Sequence, residues 1–180
     1  MKVLFFSLAL SLSFGLKSQI NYVNGYVVTL EGDTLKGEIK VNPKKDYDKF
    51  KRAGFKSKDG AQKNYKPNKI KAYGVEGRNF ISWKLDDEDV FLERLTDGHI
   101  TLLKAAFEAI VMNETNHVYE YYLLIEGEKK LQDINVKKFS KQLTKIMEGS
   151  ESIAEKYEDG KELNESSAIE VINQFNRTKN

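Results

Sequence analysis

Two histidines are the residues of this sequence best suited to acid–base chemistry, because imidazole changes its charge near neutral pH. His99 directly follows the turn Asp97-Gly98, and His117 lies three residues before Glu120. Asp97 and Glu120 are therefore the carboxylates that we expect beside them. Both histidines also lie where surface residues are common, after a tight turn and at a strand start, which favours a role without chemistry.

Motifs of known catalytic sites are missing from the sequence. It contains no G-x-S-x-G nucleophile elbow, no H-E-x-x-H zinc motif, no P-loop and no G-x-G-x-x-G turn. A triad assembled in space from distant residues stays open, and a hydrolase that uses His99 or His117 is the least favoured of our hypotheses. We predict a protein that is not an enzyme and has no catalytic residue.

Metal and cofactor sites are not predicted either. The sequence has no cysteine and only two histidines, which excludes thiolate ligands and disfavours a site built from several histidines. The acidic run Asp86-Asp87-Glu88-Asp89 lacks the alternating spacing and the glycine of an EF-hand, and we interpret it as a solvated hairpin loop. The lack of cysteine also excludes disulfides and a lipid-modified cysteine.

A basic segment, Lys40–Lys71, is the strongest candidate for ligand binding. It contains 12 Lys and Arg against 3 Asp and Glu, interleaved with aromatic residues. Such a patch could bind a polyanion, which in an exported protein would be a lipid phosphate, an acidic glycan or an acidic partner. The alternative, which we favour on sequence alone, is the wet face of several strands, where lysine also protects against aggregation. The candidate patch residues are Lys44, Lys45, Lys49, Lys51, Arg52, Lys56 and Lys58.

Residues 1–18 predict a signal peptide. Met1-Lys2 gives a positive start, and the apolar stretch Val3–Leu16 has 14 residues, whereas a helix needs about 20 to cross a bilayer. We expect cleavage between Ser18 and Gln19, and an uncleaved anchor is the less favoured alternative. No later stretch is long and apolar enough to span a membrane. The mature protein is therefore predicted in the periplasm, at the cell surface or in the medium.

The charge balance excludes one class of partner. The full chain has 29 Lys and Arg against 27 Asp and Glu, and Lys2 and Lys17 leave with the signal peptide, so the mature chain carries 27 of each sign. The overall basicity that would favour nucleic acid is absent. Because the basic segment has nine positive charges in excess, the rest of the mature chain carries nine negative charges in excess.

The elements that position these residues are mostly strands. Residues 19–134 form the predicted β-rich domain, in which Thr34–Val41 alternates strictly between apolar and polar residues, as in an antiparallel sheet with one wet face. Glycine turns recur at intervals that suit a meander folded as a barrel or a sandwich. In the segment Leu102–Met112 we predict a strand to about Lys104 and leave residues 105–112 open, because their composition also favours a helix.

The hydrophobic period changes after Asp133, and residues 135–180 predict about three short helices packed on or beside the sheet. The first helix is expected to stop at Gly149. Ser150 and Asn164 are the predicted caps of the second and third helices. The fold class is therefore α+β and dominated by strands.

Three segments of the chain resemble a known family: Gly25–Ile39, Phe91–Leu102 and Ile172–Asn176. The family comprises small exported proteins of Bacteroidota with no assigned function. The resemblance covers nearly all of the mature chain and implies a β-rich envelope domain with C-terminal helices, but no activity and no site residue. In addition, Asp33-Thr34-Leu35 resembles the short acceptor that exported proteins of these bacteria use for O-glycosylation. Thr34 is thus a candidate modification site, and the alternative is an ordinary exposed residue after a hairpin turn.

The leading functional hypothesis is a non-enzymatic module of the cell envelope that binds a protein or a glycan. It is motivated by export, by the lack of catalytic motifs and by the segregated charge. The alternative is a carrier whose meander closes around a lipid or another apolar ligand, as a lipocalin does. The 9 Tyr and 10 Phe residues motivate this alternative, although ordinary core packing explains them equally well.

Overall fold

A computed structural model of the protein describes residues 21–111 and 114–179. These residues form strands up to Asp133 and mainly helices after it, so the predicted β-dominated α+β class with C-terminal helices is confirmed. The predicted signal peptide, residues 1–18, lies outside the described residues. In the described part of the chain, no helix is long and apolar enough to cross a membrane.

The described residues contain ten strands and four α-helices. The strands are β1 (Asn21–Val28), β2 (Thr34–Val41), β3 (Ala53–Lys56), β4 (Gln62–Tyr65), β5 (Ala72–Val75), β6 (Arg78–Leu85), β7 (Glu88–Arg94), β8 (Ile100–Val111), β9 (Glu114–Ile125) and β10 (Gln132–Asp133). The helices are α1 (Asp48–Lys51), α2 (Phe139–Ile146), α3 (Glu151–Ala154) and α4 (Glu165–Lys179). A short 3₁₀ turn, Pro67–Lys69, precedes β5.

All ten strands belong to one antiparallel sheet, in the order β10-β9-β8-β7-β6-β5-β1-β2-β3-β4. The sheet is not closed, so a single open sheet replaces the choice between barrel and sandwich. The meander has one interruption, since β5 follows β4 in the chain but pairs with β1. Val27 of β1 is fully buried, because its side chain lies on the face of the sheet that packs in the main hydrophobic core.

One face of the sheet encloses an aromatic core. The rings of Tyr73 and Phe80 stack with centroids 4.7 Å apart, and Phe91 meets Tyr73 edge-on at 4.9 Å. Phe50 adds its ring from α1, edge-on to Phe80 at 5.5 Å. The sequence predicted no helix in this segment. A four-residue helix is too short to show a hydrophobic period, and Phe50 is its one buried residue.

The C-terminal helices pack on β8 and β9. Their apolar stripes form a second core with Ile100, Leu102 and Leu123, to which they contribute buried residues that include Phe139, Leu143, Ala168, Ile172 and Phe175. The backbone of Gly149 has a φ of +76° between α2 and α3, which suits glycine at a helix stop. The side chain of Asn164 accepts a hydrogen bond from the Ser167 amide at 3.1 Å and caps α4.

The segment that the sequence left open, residues 105–112, is extended as far as the structure describes it. β8 pairs with β9 from Ile100 opposite Ile125 to Val111 opposite Glu114. Ala106 contributes to the aromatic core. The helix propensity of the alanines is therefore overridden by twelve consecutive cross-strand pairs, which local composition does not reveal.

Candidate functional site

The outward side of β2, opposite the aromatic core, carries the exposed lysines Lys36 and Lys40. The register of the sheet places Tyr26 of β1 beside Lys36, and Lys56 of β3 beside Glu38. Lys58 follows β3 in the next turn. We call this surface, formed by Lys36, Lys40, Lys56 and Lys58 and the grooves that they line, the lysine face.

The first groove of the lysine face has a volume of about 660 Å³. Its side-chain lining includes Asn24, Tyr26, Lys36, Glu38, Lys56 and Lys58. Gly25 and Gly37, which oppose each other across β1 and β2, also line it. A Cβ atom on Gly25 would come within 2.6 Å of Ile39 Cγ1, and one on Gly37 within 2.6 Å of Phe55 Cε2. Main chain therefore lies directly against the core at this point, because side chains on Gly25 and Gly37 would point into the core and not into the groove.

Several side chains of the first groove are held in place by neighbours. The Lys56 ammonium donates to Glu38 Oε2 at 2.8 Å and lies 5.4 Å from the centroid of the Tyr22 ring. The hydrogen bond to Glu38 raises the pKa of Lys56, so this lysine is charged at neutral pH. The Tyr26 hydroxyl donates to Asn79 Oδ1 at 2.6 Å. The groove thus offers fixed aromatic rings beside cationic groups.

The second groove lies at the other end of β2 and has a volume of about 480 Å³. Its polar lining includes Lys40, Asn42, Lys45, Asp48, Arg52 and Asn64. Because Asp48 belongs to α1 and the groove also reaches the buried core residues Ile39 and Tyr73, it extends from the outward side of β2 around the end of the strand to the core side of the sheet. Arg52 lies 3.4 Å from Asp48. Lys36 and Lys40, one in each groove, are four residues apart on β2, which spans roughly 13 Å of extended strand.

Four lysines of the two grooves have no acidic partner. Lys36, Lys40, Lys45 and Lys58 form no ion pair within residues 21–111 and 114–179. All four are exposed. Their positive charge is therefore available to an anionic ligand and is not neutralised by the protein's own carboxylates.

The seven patch residues predicted from sequence are divided by the structure. Five of them line a groove: Lys45, Lys49 and Arg52 the second, Lys56 and Lys58 the first. Lys51 instead pairs with Glu108 at 2.9 Å, and Lys44 is exposed and lines neither groove. Lys36 and Lys40 were not among the patch residues predicted from the sequence, although their alternation with Leu35 and Ile39 already placed them on the wet face.

Lys49 belongs to a polar cluster that ties α1 to the sheet. Its ammonium lies 2.6 Å from Asp46 and 3.2 Å from Glu76. Arg78 donates to both Asp46, at 2.7 Å, and Glu93, at 2.5 Å. Burial tends to raise the pKa of Asp46, but the hydrogen bonds from Lys49 and Arg78 hold it below its usual range. These carboxylates are already neutralised by cations, which suits a structural role better than acid–base chemistry.

Neither histidine contacts the carboxylate that the sequence predicted. His99 Nδ1 lies 3.2 Å from Glu126 Oε2, because the pairing of β8 with β9 brings these residues together. Asp97 is instead 3.4 Å from Arg94. His117 stacks on the Tyr47 ring with centroids 4.1 Å apart.

The other candidate residues lie apart from the lysine face or at its margin. Glu120, the acid expected near His117, accepts a hydrogen bond from the Tyr122 hydroxyl at 2.7 Å. Asp86 has a φ of +48° in the turn between β6 and β7, as expected of a hairpin loop. Thr34 is exposed at the first position of β2. Within the described residues, no group of three or more His, Asp or Glu side chains is arranged to hold a metal ion.

No protein-family model matches this chain, and no curated protein and no solved structure matches it significantly. The function is therefore inferred from the geometry and charge of the lysine face.

Proposed function

We propose that the protein is an exported, non-enzymatic module of the cell envelope that binds an acidic glycan along its lysine face. The observation that carries this proposal is the presence of four exposed, unneutralised lysines, Lys36, Lys40, Lys45 and Lys58, around two grooves on β2. A linear polymer with repeated carboxylate or sulfate groups can contact both grooves at once.

The chemistry of the grooves favours an acidic sugar polymer over other polyanions. Lysine is a compact point charge that suits carboxylates and sulfates without the bidentate geometry of arginine. Tyr26 and Tyr22 offer ring surface beside the charges, and Asn24 and Asn64 offer amide groups to sugar hydroxyls.

The two other hypotheses have less support in the described residues. A carrier needs an enclosed volume, whereas the side chains of the aromatic core, among them Tyr73, Phe80 and Phe91, fill the space beneath the strands. A hydrolase needs a base beside an orienting acid and a nucleophile. His117 has an aromatic ring as its neighbour, and His99 has a single surface carboxylate.

Charge reversal of the four unneutralised lysines tests the proposal. We expect Lys36→Glu, Lys40→Glu, Lys45→Glu and Lys58→Glu together to weaken binding to immobilised polygalacturonate by more than about tenfold, since four attractive contacts become repulsive. The matched control reverses four exposed lysines outside the face: Lys129, Lys130, Lys137 and Lys138. Both variants change the net charge equally, so only a position-specific site distinguishes them.

Retention of the unsubstituted protein should fall as salt rises, and neutral dextran should not retain it. If the face variant and the control variant lose binding equally, binding depends on the net charge of the protein and not on a site at the lysine face. If neither variant changes retention, acidic glycan is not the ligand of this surface.

A further inference from the structure

One edge of the sheet is open along most of β9. This strand pairs with β8 over its whole length, but on its other side β10 covers only Tyr122 and Leu123, and Ile134 bonds to Tyr121. All residues from Glu114 to Glu120 are exposed. The free edge therefore offers seven residues of extended main chain.

This edge has fewer of the features that normally prevent strands from pairing with other chains than the opposite edge has. Protected edges are short or carry charged side chains (above all lysine), proline or a bulge. At the opposite end of the sheet, β4 has four residues, contains Lys63 and is followed by Lys66-Pro67. The segment Glu114–Glu120 has no lysine, no proline and no glycine, and its only acidic residues, Glu114 and Glu120, lie at its two ends. The five residues between them are therefore less protected against pairing than β4 is.

Exposed apolar residues are concentrated on the same hairpin. Among the described residues, five large apolar side chains are exposed, and three of them lie on β8 or β9: Ile110 at 80 %, Val118 at 43 % and Tyr119 at 41 %. Three exposed apolar side chains on one hairpin indicate a contact surface rather than scattered exposure.

The direction of the free hydrogen-bonding groups follows from two observed bonds. The Ile134 amide donates to the Tyr121 carbonyl from the β10 side, whereas the Glu126 amide donates towards β8, to the His99 carbonyl. Because the direction alternates along a strand, the main-chain groups of Thr115, His117 and Tyr119 point out of the free edge. An antiparallel strand that docks here must align its own outward residues with these.

We propose that this edge pairs with the same edge of a second copy of the chain, around a two-fold axis at Asn116. Only every second residue directs its main-chain groups outward, and hydrogen-bonded residues of the two copies must both be of this kind. The two-fold axis must therefore pass through a residue and not between two residues. An axis at Val118 would place the partner's Thr115 opposite Tyr121, where Ile134 already lies. An axis at His117 would place Glu114 opposite the partner's Glu120 and Glu120 opposite the partner's Glu114, and like charges directly opposite one another are unfavourable.

An axis at Asn116 avoids both conflicts. It places Thr115 opposite the partner's His117 and Glu114 opposite the partner's Val118, with no like charges opposed. Each Thr115–His117 pair exchanges two main-chain hydrogen bonds, since both residues direct their groups outward. The ring of His117 stays stacked on Tyr47 in the same chain, so docking uses its main chain alone. The pairing is independent of the lysine face.

A single introduced cysteine tests the axis, because the chain contains no other cysteine. Residues that oppose each other in a non-hydrogen-bonded antiparallel pair have Cα atoms about 4.5 Å apart, which a disulfide can bridge. We expect Asn116→Cys to form a disulfide dimer under mild oxidation many times faster than Asp87→Cys, which places a cysteine in the exposed turn between β6 and β7. We also expect a mixture of Glu114→Cys and Val118→Cys proteins to give a mixed disulfide faster than either protein crosslinks alone.

Sedimentation of the cysteine-free protein is the second measurement. A dimer that forms with rising concentration and is lost in Asn116→Lys, which sets two lysines against each other on the axis, supports the proposal. A monomer at the highest soluble concentration overturns it, and so does crosslinking of Asn116→Cys no faster than that of Asp87→Cys. Disulfide capture of a different envelope protein in place of the second copy would assign the edge to another partner and equally overturn the proposal.

Discussion

Arg78 is the residue on which most of the polar contacts beneath α1 depend. It donates to two carboxylates, Asp46 at 2.7 Å and Glu93 at 2.5 Å, and Glu93 is only 6 % exposed. Burial tends to lower the pKa of Arg78, but the hydrogen bonds to Glu93 and Asp46 raise it above its usual value. The guanidinium is therefore charged at every pH at which the protein folds.

Removal of Arg78 should cost more than removal of an exposed arginine. We expect Arg78→Ala to lower the free energy of unfolding by about 2–4 kcal/mol, because Glu93 keeps a buried charge without its partner. Arg52→Ala is the control, since the exposed pair of Arg52 with Asp48 is worth less than about 1 kcal/mol. Urea denaturation measures both. Equal losses in the two variants would contradict the structural role of Arg78, and Glu93→Gln in the Arg78→Ala background should restore part of the loss.

Gly37 connects the core to the first groove. A Cβ atom at this position would meet the Phe55 ring at 2.6 Å, so Gly37→Ala must move either the ring or the strand. We expect a loss of about 1–3 kcal/mol in the free energy of unfolding together with weaker polygalacturonate binding. Gly160→Ala is the control, because the nearest atom to its Cβ would be 3.4 Å away. A Gly37→Ala protein with unchanged stability and binding would contradict the close packing of this strand on Phe55 and its role in shaping the groove.

The elements show what the sequence could and could not reveal. The strand at Thr34–Val41 and the helices after Asp133 were predicted from alternation and from helical spacing, because these period-two and period-3.6 patterns encode which face is buried. The same alternation already placed Lys36 and Lys40 outward. The return of β5 to β1 was not predicted, because strand neighbours are chosen by contacts distant in sequence. For the same reason, the sequence could not show which lysines have acidic partners: Glu108, which neutralises Lys51, is 57 residues away in the chain.

The docking of α4 on the sheet depends on a charged group at the start of the helix. Glu165 accepts hydrogen bonds from the Lys104 ammonium and the Tyr121 hydroxyl, both at 2.8 Å. Burial tends to raise the pKa of Glu165, but these two hydrogen bonds lower it from the ordinary value of 4.5. A carboxylate with a lowered pKa stabilises the folded state fully above its ordinary pKa, and this stabilisation disappears as the pH falls through the lowered value.

The pH dependence of stability should therefore change in Glu165→Gln. We expect this variant to be less stable than the unsubstituted protein by about 1–3 kcal/mol near pH 7, and the difference to shrink as the pH falls below 4.5. Urea denaturation at several pH values measures the difference. Glu162→Gln, which alters an exposed carboxylate three residues before Glu165, is the control. A difference that stays constant or grows in acid would contradict the assigned hydrogen bonds.

In the whole molecule, the helices and the lysine face occupy different strands of one open sheet. The helices cover β8 and β9, whereas the lysine face lies on β1 to β4, with β5 to β7 between them in the strand order. Changes to the lysine face should therefore leave the docking of the helices intact. The charge is separated in the same way, because the basic segment carries nine excess positive charges in a mature chain whose predicted net charge is zero.

The most direct test of the central claim is the affinity of the protein for galacturonate oligomers of increasing length, measured by calorimetry at fixed salt. If the two grooves act as one extended site, the affinity should rise until an oligomer spans the roughly 13 Å between Lys36 and Lys40 and reaches into both grooves, and should then level off. The charge-reversed lysine-face variant should lose this dependence on length, whereas the matched control should keep it. Affinity that is independent of length, or equal in the two variants, would contradict an acidic-glycan site on the lysine face.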